Sequence, residues 1–274
     1  MKKILITGGA GFIGNALTLF LSKKNYQITC LVSKKNQPKL KNVKYIYGKI
    51  EDNFDEELKT IDLIIHCAVV GVYKKEKKEK MFKVNCYDSL NFFKRAYKAG
   101  CKNWIILGSS GEYGFIKDKP MSAKNTQLKA TDAYSKSKVL FFNLLSKLKI
   151  IKKCKVLYLR IFHPYGNNEP SGRLYSDLVT AAKKNKKFEM TNGEEVRDFI
   201  HIDIAIKKIH SGFRFFKKKN LFLVKHVATG KKMEVKKFAK YHWKKHKAKK
   251  EIIFGKLKRK IKWHTMYSDK ASIL

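Results

Sequence analysis

Short apolar runs alternate along the chain with longer segments in which apolar residues recur at helical spacing. The runs predict buried strands, and the longer segments predict helices that cover them. The predicted strands are residues 4–6, 27–32, 43–47, 61–68, 104–107 and 156–160, and the predicted helices include 15–22 and 82–99. Such alternation predicts an α/β fold, a parallel sheet with helices on both faces. Beyond Tyr165 it weakens, which indicates a smaller C-terminal region of a different kind.

A glycine-rich turn, Thr7-Gly8-Gly9-Ala10-Gly11-Phe12-Ile13-Gly14, joins the first predicted strand to the first predicted helix. Strand, glycine turn and helix in this order are the dinucleotide-binding fingerprint of a Rossmann-type sheet. Gly8, Gly11 and Gly14 would let the backbone bend and approach a pyrophosphate, which the N-terminus of the helix attracts. A glycine turn without a ligand is the alternative, and the strand and helix around it argue against that.

The second predicted strand ends in Ser33, Lys34 and Lys35. A site that prefers NAD carries Asp or Glu here to hold the ribose hydroxyls. A hydroxyl followed by two cations suits a 2′-phosphate, so the expected cofactor is NADP or NAD, with NADP favoured. The alternative is that these are two more lysines of a lysine-rich chain.

Positive charge dominates the composition. The 274 residues include 62 Lys and Arg against 22 Asp and Glu, a formal net charge of +40. Such an excess can indicate a nucleic acid or an anionic membrane as partner. The lysines are spread through every segment, however, as a general lysine bias would place them. We therefore expect neither nucleic acid nor membrane as a partner, although the charge should attract anionic small ligands.

The apolar content and the cysteines limit the class of protein further. No apolar run approaches the ~20 residues that a membrane-spanning helix needs. The five cysteines are an odd number without a Cys-x-x-Cys pair, so neither a disulfide framework nor a zinc site is expected. We therefore predict a globular, cytoplasmic protein with free buried thiols and no metal.

Two groups of residues could carry chemistry in such a fold. Tyr134 and Lys138 lie four residues apart, hence on one face of a predicted helix. The Lys138 ammonium would favour the Tyr134 phenolate, which makes this tyrosine a usable acid or base. Ser109 and Ser110 follow the fifth predicted strand, where the strand ends of a parallel sheet border the ligand crevice.

Seven motifs in this order resemble the NAD-dependent epimerase/dehydratase family, extended short-chain dehydrogenases/reductases that modify nucleotide sugars. They extend from Lys3 to about Asp269, nearly the whole chain. The motifs are TGGAGFIG at 7–14, IIHCA at 64–68, Asn85, SSGEYG at 109–114, YSKSK at 134–138, LRIFHPYG at 159–166 and VRDFIHIDIA at 196–205. The combination is specific for the family and much less so for any one reaction.

The resemblance implies a role for each matching residue. Tyr134 would be the acid or base at the reacting sugar carbon, and Lys138 would hold the nicotinamide ribose. Ser109, or next to it Ser110, would hydrogen-bond the reacting oxygen. The implied cofactor-binding residues are Gly8, Gly11, Phe12, Ile13, Gly14, Ile50, Ala68, Val69, Asn85 and Phe162, besides Ser33, Lys34 and Lys35. The implied substrate-binding residues are Tyr113, His163, Arg197, Arg173 and Arg259.

Arg197 is the strongest of the implied substrate-binding residues. It stands where the family commonly clamps the sugar diphosphate with an arginine. A guanidinium binds phosphate through two hydrogen bonds, which explains an arginine in a chain that otherwise uses lysine. A local salt bridge to Glu195 or Asp198 is the alternative.

One departure from the family bears on the reaction. The family's 4,6-dehydratases carry an acidic pair after the catalytic threonine, whereas this chain has Ser110 and Gly111 there. Glu112, one residue later, could replace it only if the loop bulges. We therefore expect hydride transfer at carbon 4 of a nucleoside-diphosphate sugar, with a 4-ketosugar reductase favoured. A 4-epimerase is the close alternative, followed by a 4,6-dehydratase; a non-catalytic dinucleotide-sensing or RNA-binding protein is the alternative of another class.

The resemblance also implies how the chain divides. Residues 1–164 with 196–211 would form the NAD(P)-binding Rossmann domain. Residues 165–195 with 212–274 would form the substrate-binding region, which lacks the terminal helix common in the family. A homodimer through the helices after the fourth and fifth strands is the implied assembly.

Overall fold

A computed structural model describes residues 2–72, 76–115, 119–217, 221–258 and 265–274, and its centre is a sheet of seven parallel strands. The strands are β1 (Lys2–Thr7), β2 (Tyr26–Val32), β3 (Val43–Tyr47), β4 (Leu63–His66), β5 (Asn103–Ser109), β6 (Lys155–Ile161) and β7 (Leu221–Val227). Their order across the sheet is β7-β6-β5-β4-β1-β2-β3. The chain thus leaves β1 towards one edge and returns to β4 on the other side of β1.

Helices cover both faces of this sheet. The helices of the described residues are α1 (Phe12–Ser22), α2 (Asp55–Leu58), α3 (Lys78–Phe82), α4 (Ser89–Lys98), α5 (Ala133–Lys147), α6 (Leu174–Lys183), α7 (Ile202–Ser211) and α8 (Val235–Lys245). Of these, α6 and α8 belong to the C-terminal region and pack beside the sheet. A π-helix, Lys83–Asp88, joins α3 to α4, so that residues 78–98 form one continuous helical rod. Shorter 3₁₀ turns occupy Ser110–Tyr113, Lys149–Lys153 and Gly212–Lys217.

The alternation of side chains along each strand divides the core into two layers. Ile4 and Ile6 of β1 pack with apolar residues of α1 and α7, whereas Leu5 packs with residues of α4 and α5. Every residue of β4 is buried, as its unbroken apolar run predicts for a strand covered on both faces. Both layers extend across the whole sheet, which makes it a rigid base for the ends of its strands.

The C-terminal region adds a smaller core beside the sheet. Helices α6 and α8 pack around Leu178, Ala239 and Trp243. Short strand pairs tie this region together: Pro164–Tyr165 with Ile200–His201, Phe188–Glu189 with Ile252–Ile253, and Val196–Arg197 with both Met233–Glu234 and Thr265–Met266.

The predicted fold class, a Rossmann-type parallel sheet with helices on both faces, is confirmed. One domain boundary is wrong, because Leu221–Val227, assigned to the substrate-binding region, pairs along its whole length with β6 as the edge of the sheet. All five cysteines are free thiols, four of them buried and Cys67 half-buried. In the described part of the chain, no helix is both long and apolar enough to cross a bilayer.

Candidate active site

A cavity of about 1240 Å³ opens where β1, β2, β4 and β5 end. The strand order reverses between β1 and β4, and ligands of open parallel sheets bind outside such a reversal. Its opposite wall comes from α6, from residues 188–191 and from Glu195, Arg197 and Phe199 of the C-terminal region. Because one small-molecule site occupies about 300–1,000 Å³, this cavity has room for two ligands side by side.

The glycine turn after β1 fits a dinucleotide. Gly8 has φ +67°, and a Cβ there would lie 2.8 Å from the Cα of Ala68 on the neighbouring strand end. A Cβ on Gly14 would overlap the carbonyl oxygen of Gly8. No side chain caps the N-terminus of α1, so its first amides are left for an anion. Side chains at these glycine positions would fill the cradle. Because it is open, it suits a pyrophosphate that is held by the backbone alone.

Several of the expected cofactor-binding residues border the cavity near this turn. They are Gly8, Gly11, Phe12, Ile13, Gly14, Ser33, Lys34, Ala68 and Val69. Lys35 does not border it; its side chain is exposed beyond Lys34. Of the three residues expected to meet a 2′-phosphate, the structure therefore brings two to the cavity.

Three expected cofactor contacts need correction. Ile50 is buried beside a separate cavity of about 200 Å³. Phe162 is fully buried in a cluster with Met121 and Ala228. Asn85 lies behind the wall of the cavity: its Oδ1 accepts the Val70 N–H at 2.8 Å, and its Nδ2 donates to the Val70 carbonyl at 3.0 Å. It supports the wall rather than bordering the cavity.

Ser109 and Ser110 stand at the end of β5, where a 3₁₀ turn begins. The Ser109 Oγ accepts the Gly111 N–H at 3.1 Å, and the Glu112 carboxylate accepts the Ser109 N–H at 2.8 Å, which is a reciprocal capping box. A Cβ on Gly111 would overlap the hydroxyl of Ser135. The glycine therefore lets this turn approach the start of α5, with both serines bordering the cavity.

Helix α5 carries Tyr134 and Lys138, and both border the cavity. The helix begins after Asp132, whose carboxylate accepts the Ser135 N–H at 2.8 Å and the Ser135 hydroxyl at 2.8 Å. Ser137 donates to the Tyr134 carbonyl at 2.6 Å and accepts from Asn85 Nδ2 at 3.1 Å. These bonds fix the first turn of α5, and with it the position of Tyr134.

Lys138 is almost completely buried, with 2% of its surface exposed. Burial lowers the pKa of its ammonium below the ordinary value, and the negative charge of Glu112 acts in the opposite direction. Beneath it, His66 bonds to Thr7 at 2.8 Å and to Ser89 at 3.1 Å. Burial, followed by the Lys138 charge, lowers the pKa of His66 to about 3, so the histidine is neutral. Lys138 therefore stands beside a neutral imidazole, and the Glu112 carboxylate is the neighbouring group that favours its ammonium form.

Two arginines face the cavity on the side of the C-terminal region. Arg197 and Arg173 both border it, together with His163. Burial, followed by the charge of Arg173, lowers the pKa of Arg197 to about 10. Asp198, proposed above as a partner of Arg197, instead accepts the Thr229 N–H and hydroxyl and the Gly230 N–H, at 2.6–2.8 Å. Arg259 lies outside the described residues.

The expectation that Tyr113 binds substrate is wrong. Its side chain is fully buried and its hydroxyl bonds to Arg160 Nη1 at 3.0 Å and to His226 Nε2 at 2.5 Å, away from the cavity. Glu112, considered above as a dehydratase acid, is also fully buried and is paired with Arg160, Nε to Oε2 at 2.7 Å. Neither side chain borders the cavity.

Some residues of the site were not found from the sequence. Glu169 borders the cavity with 4% of its side chain exposed, and its Oε1 lies 3.8 Å from the Nε of Arg173. Burial raises the pKa of Glu169 to about 7, and Arg173 partly opposes this. Tyr165 and Tyr175 stand beside each other in the same wall, their ring centroids 5.1 Å apart. Tyr165 lies within the motif LRIFHPYG and Glu169 three residues after it, so the motif could have drawn attention to both, whereas Tyr175 lies farther on, in α6.

Known proteins resemble this chain in sequence. Its residues 4–210 match the model of the NAD dependent epimerase/dehydratase family. UDP-glucose 4-epimerase 2 of Arabidopsis thaliana is 24% identical over 246 residues, which cover 74% of this chain and 69% of the relative. UDP-glucose 4-epimerase of Neisseria meningitidis serogroup C is 28% identical over 243 residues, which cover 75% and 71%.

Solved structures share the fold at low identity. One is the UDP-N-acetylglucosamine 4-epimerase from Methanobrevibacter ruminantium M1 in complex with UDP-N-acetylmuramic acid, with TM-score 0.87, 20% identity and coverage of 98% of this chain and 89% of that one. Another is MoeE5 in complex with UDP-glucose and NAD, with TM-score 0.85, 19% identity and coverage of 97% and 89%. Because the family model spans most of its length, from β1 into α7, this chain belongs to the NAD-dependent epimerase/dehydratase family, enzymes that act on nucleotide sugars.

Proposed function

We propose that the chain is a 4-epimerase of nucleoside-diphosphate sugars, which reverses the sequence-based preference for a 4-ketosugar reductase. The observation that carries the proposal is the grouping of Ser109, Tyr134 and Lys138 around the cavity that also contains the glycine cradle. The relatives described above are named 4-epimerases, which supports this reaction within the family. The preference for a reductase rested on the absent dehydratase acids and on the residues after β2.

Each of the three residues has a distinct part in such a reaction. When bound, a nicotinamide cofactor would supply the hydride acceptor and donor. Tyr134 would take the proton from the 4-hydroxyl of the sugar and later return it to the same oxygen. Ser109 already accepts the Gly111 N–H, so its own proton remains for that oxygen. Lys138 would hold the cofactor ribose and favour the Tyr134 phenolate by its charge.

The two cavity arginines support a diphosphate as the part of the substrate that is held most strongly. The pKa of Arg197 is lowered first by burial and then by the charge of Arg173, so the two guanidinium groups also repel each other. A dianion would relieve this repulsion, and a guanidinium offers it two parallel hydrogen bonds. The pyrophosphate of the cofactor would occupy the glycine cradle, so the arginines would bind that of the sugar nucleotide.

A second candidate is a 4-ketosugar reductase that uses NADP. The observation in its favour is that Ser33 and Lys34 border the cavity at the end of β2, where they could hold a 2′-phosphate. This candidate differs from the first in its use of cofactor. An epimerase recycles its cofactor, whereas a reductase consumes one NADPH for each sugar.

Turnover measurements distinguish the 4-epimerase from the 4-ketosugar reductase. UDP-glucose incubated with the enzyme and catalytic NAD should yield UDP-galactose without net change in absorbance at the nicotinamide band. Stoichiometric loss of NADPH with a 4-keto sugar nucleotide, and no interconversion of UDP-glucose, would support the reductase instead. Tyr134→Phe should abolish turnover in either case. If that variant retained full biological activity, and tight binding to RNA fell steeply with salt, the non-catalytic alternative would replace both.

A further inference from the structure

A buried ion pair stands directly behind the serine turn. Glu112 has no exposed surface and Arg160 has 2%, and Arg160 Nε donates to Glu112 Oε2 at 2.7 Å. The guanidinium carbon of Arg160 lies 4.8 Å from the ring centroids of both Tyr113 and Phe142. A buried ion pair contributes little net stability, since apolar residues of similar size often replace one at no loss. Its presence here therefore calls for another explanation than the stability of the core.

The second carboxylate oxygen of Glu112 suggests that explanation. Glu112 Oε1 accepts the Ser109 N–H at 2.8 Å and the Tyr158 hydroxyl at 2.9 Å. A Cβ on Gly108 would lie 2.6 Å from this oxygen, so only glycine lets the carboxylate approach the end of β5 so closely. The backbone of Ser109 is thus anchored from behind, while its hydroxyl is held by Gly111 and faces the cavity.

Hydrogen bonds extend this anchor in one consistent direction. Ser268 donates its only hydroxyl proton to the Asp269 carbonyl at 2.8 Å, so it accepts from His226 Nδ1 at 2.7 Å. His226 Nε2 then accepts from the Tyr113 hydroxyl, and Tyr113 accepts from Arg160 at 3.0 Å. The pKa of His226 is lowered to about 3, mainly by burial, which agrees with a neutral ring. The chain of donors links β6 and β7 to the segment 265–274.

We propose that Glu112, held by Arg160, is a positioning residue that fixes the Ser109–Ser110 turn beside Tyr134. Neither residue of the ion pair borders the cavity, so any effect on the reaction comes through other residues: through the serine backbone, and through the charge of Glu112 at Lys138. The proposal rests on the proposed function, because it gives Glu112 a part in the reaction at Ser109. It also gives a use to a glutamate that cannot serve as a dehydratase acid.

Paired tyrosine variants provide the mildest test. Tyr158→Phe removes one hydrogen bond to Glu112, and Tyr26→Phe removes the bond to His210 at 3.1 Å, at the opposite end of the sheet. Both should lower the Tm, and Tyr158→Phe should lower it more because its partner is a buried carboxylate. Only Tyr158→Phe should lower kcat with UDP-glucose, by about threefold, with KM unchanged. Equal kcat values for the two variants would count against the proposal.

Two stronger variants separate positioning from stability. Glu112→Gln leaves one acceptor oxygen for two donors, Arg160 Nε and the Ser109 N–H, so one of them faces an NH2 group; it should reduce kcat by about tenfold or more, with KM for UDP-glucose within about twofold. The double variant Glu112→Val with Arg160→Met replaces the ion pair by apolar side chains and should recover much of the Tm lost by Glu112→Gln. Its kcat should stay low, because valine offers the Ser109 N–H no acceptor. A double variant with the kcat of the parent would overturn the proposal.

Two further measurements keep the outcomes distinct. If Tyr134→Phe abolishes turnover while the Glu112 and Tyr158 variants keep the parental kcat, the positioning role fails and the proposed function stands. If Tyr134→Phe turns over normally, the proposed function itself fails. Hydrogen exchange of the peptide that contains Ser109 needs no substrate. It should speed up in Tyr158→Phe and not in Tyr26→Phe, and equal protection in both would overturn the anchor.

Discussion

Replacement of Gly8 by alanine tests whether the glycine turn holds the cofactor by close backbone approach. Gly8 has φ +67°, a conformation that costs an ordinary L-residue roughly 1–2 kcal/mol. The added Cβ would also lie 2.8 Å from the Cα and N of Ala68. Carbon atoms pack at about 3.5 Å or more, so the turn would have to move from the end of β4 by about 0.7 Å.

Gly100 provides a matched control for the cost of the backbone conformation alone. It has φ +96° just after α4, and a Cβ there would meet no atom within 4 Å. Gly100→Ala should lower the free energy of unfolding by roughly 1–2 kcal/mol and leave the Kd for NAD unchanged. Gly8→Ala should lose at least as much stability and weaken NAD binding by about tenfold or more, because the displaced amides no longer meet the pyrophosphate.

Urea unfolding gives the two stabilities, and titration calorimetry with NAD gives the two dissociation constants. We expect the two variants to differ more in their free energy of NAD binding than in their free energy of unfolding. A Gly8→Ala protein that bound NAD with the affinity of the parent would refute this expectation. The cofactor would then not depend on this turn for its pyrophosphate.

Three other predictions follow from the site. Lys138→Met should lower kcat by about two orders of magnitude without lowering the Tm, because it removes a buried charge; initial rates and thermal melts check this. Arg197→Lys should raise KM for UDP-glucose by about tenfold at similar kcat, since a bidentate phosphate contact is lost. Because the pKa of Glu169 is raised to about 7 in the folded protein, its protonation stabilises the fold below pH 4.5, and this stabilisation is lost as the pH rises through about 7. Glu169→Gln should remove this pH dependence of the free energy of unfolding, roughly 1–3 kcal/mol, as measured by urea unfolding between pH 4.5 and about 7.

The sequence predicts those parts of the fold and site that depend on local pattern. The unbroken apolar run of β4 and the glycine turn after β1 each specify their own conformation, and both form as predicted. Tyr134 and Lys138 share a helix face because they are four residues apart, and both reach the cavity. The predictions from the family motifs at Ser109 and Arg197 likewise fall on residues that border it.

The sequence does not predict those parts of the fold and site that depend on contacts between segments far apart in the chain. A motif says that Tyr113 and Asn85 matter, but not which way each side chain points. Tyr113 points into the core because Arg160 and His226, both far away in the chain, bind its hydroxyl. Strand β7 lies in an otherwise irregular region, and only its pairing with β6 reveals it as part of the sheet.

The π-helical turn at Lys83–Asp88 has a consequence for how this helical rod can vary. A π-helix accommodates one more residue than the α-helix that it interrupts, and one residue corresponds to about 100° of rotation. The faces of the rod before and after this turn are therefore offset from each other. Asn85 faces the wall of the cavity, while Phe92 and Phe93 of α4 face the sheet. A chain with one residue deleted here could keep an unbroken α-helix only by turning one of these faces away from its target. Length in this segment is thus constrained as strictly as side-chain identity.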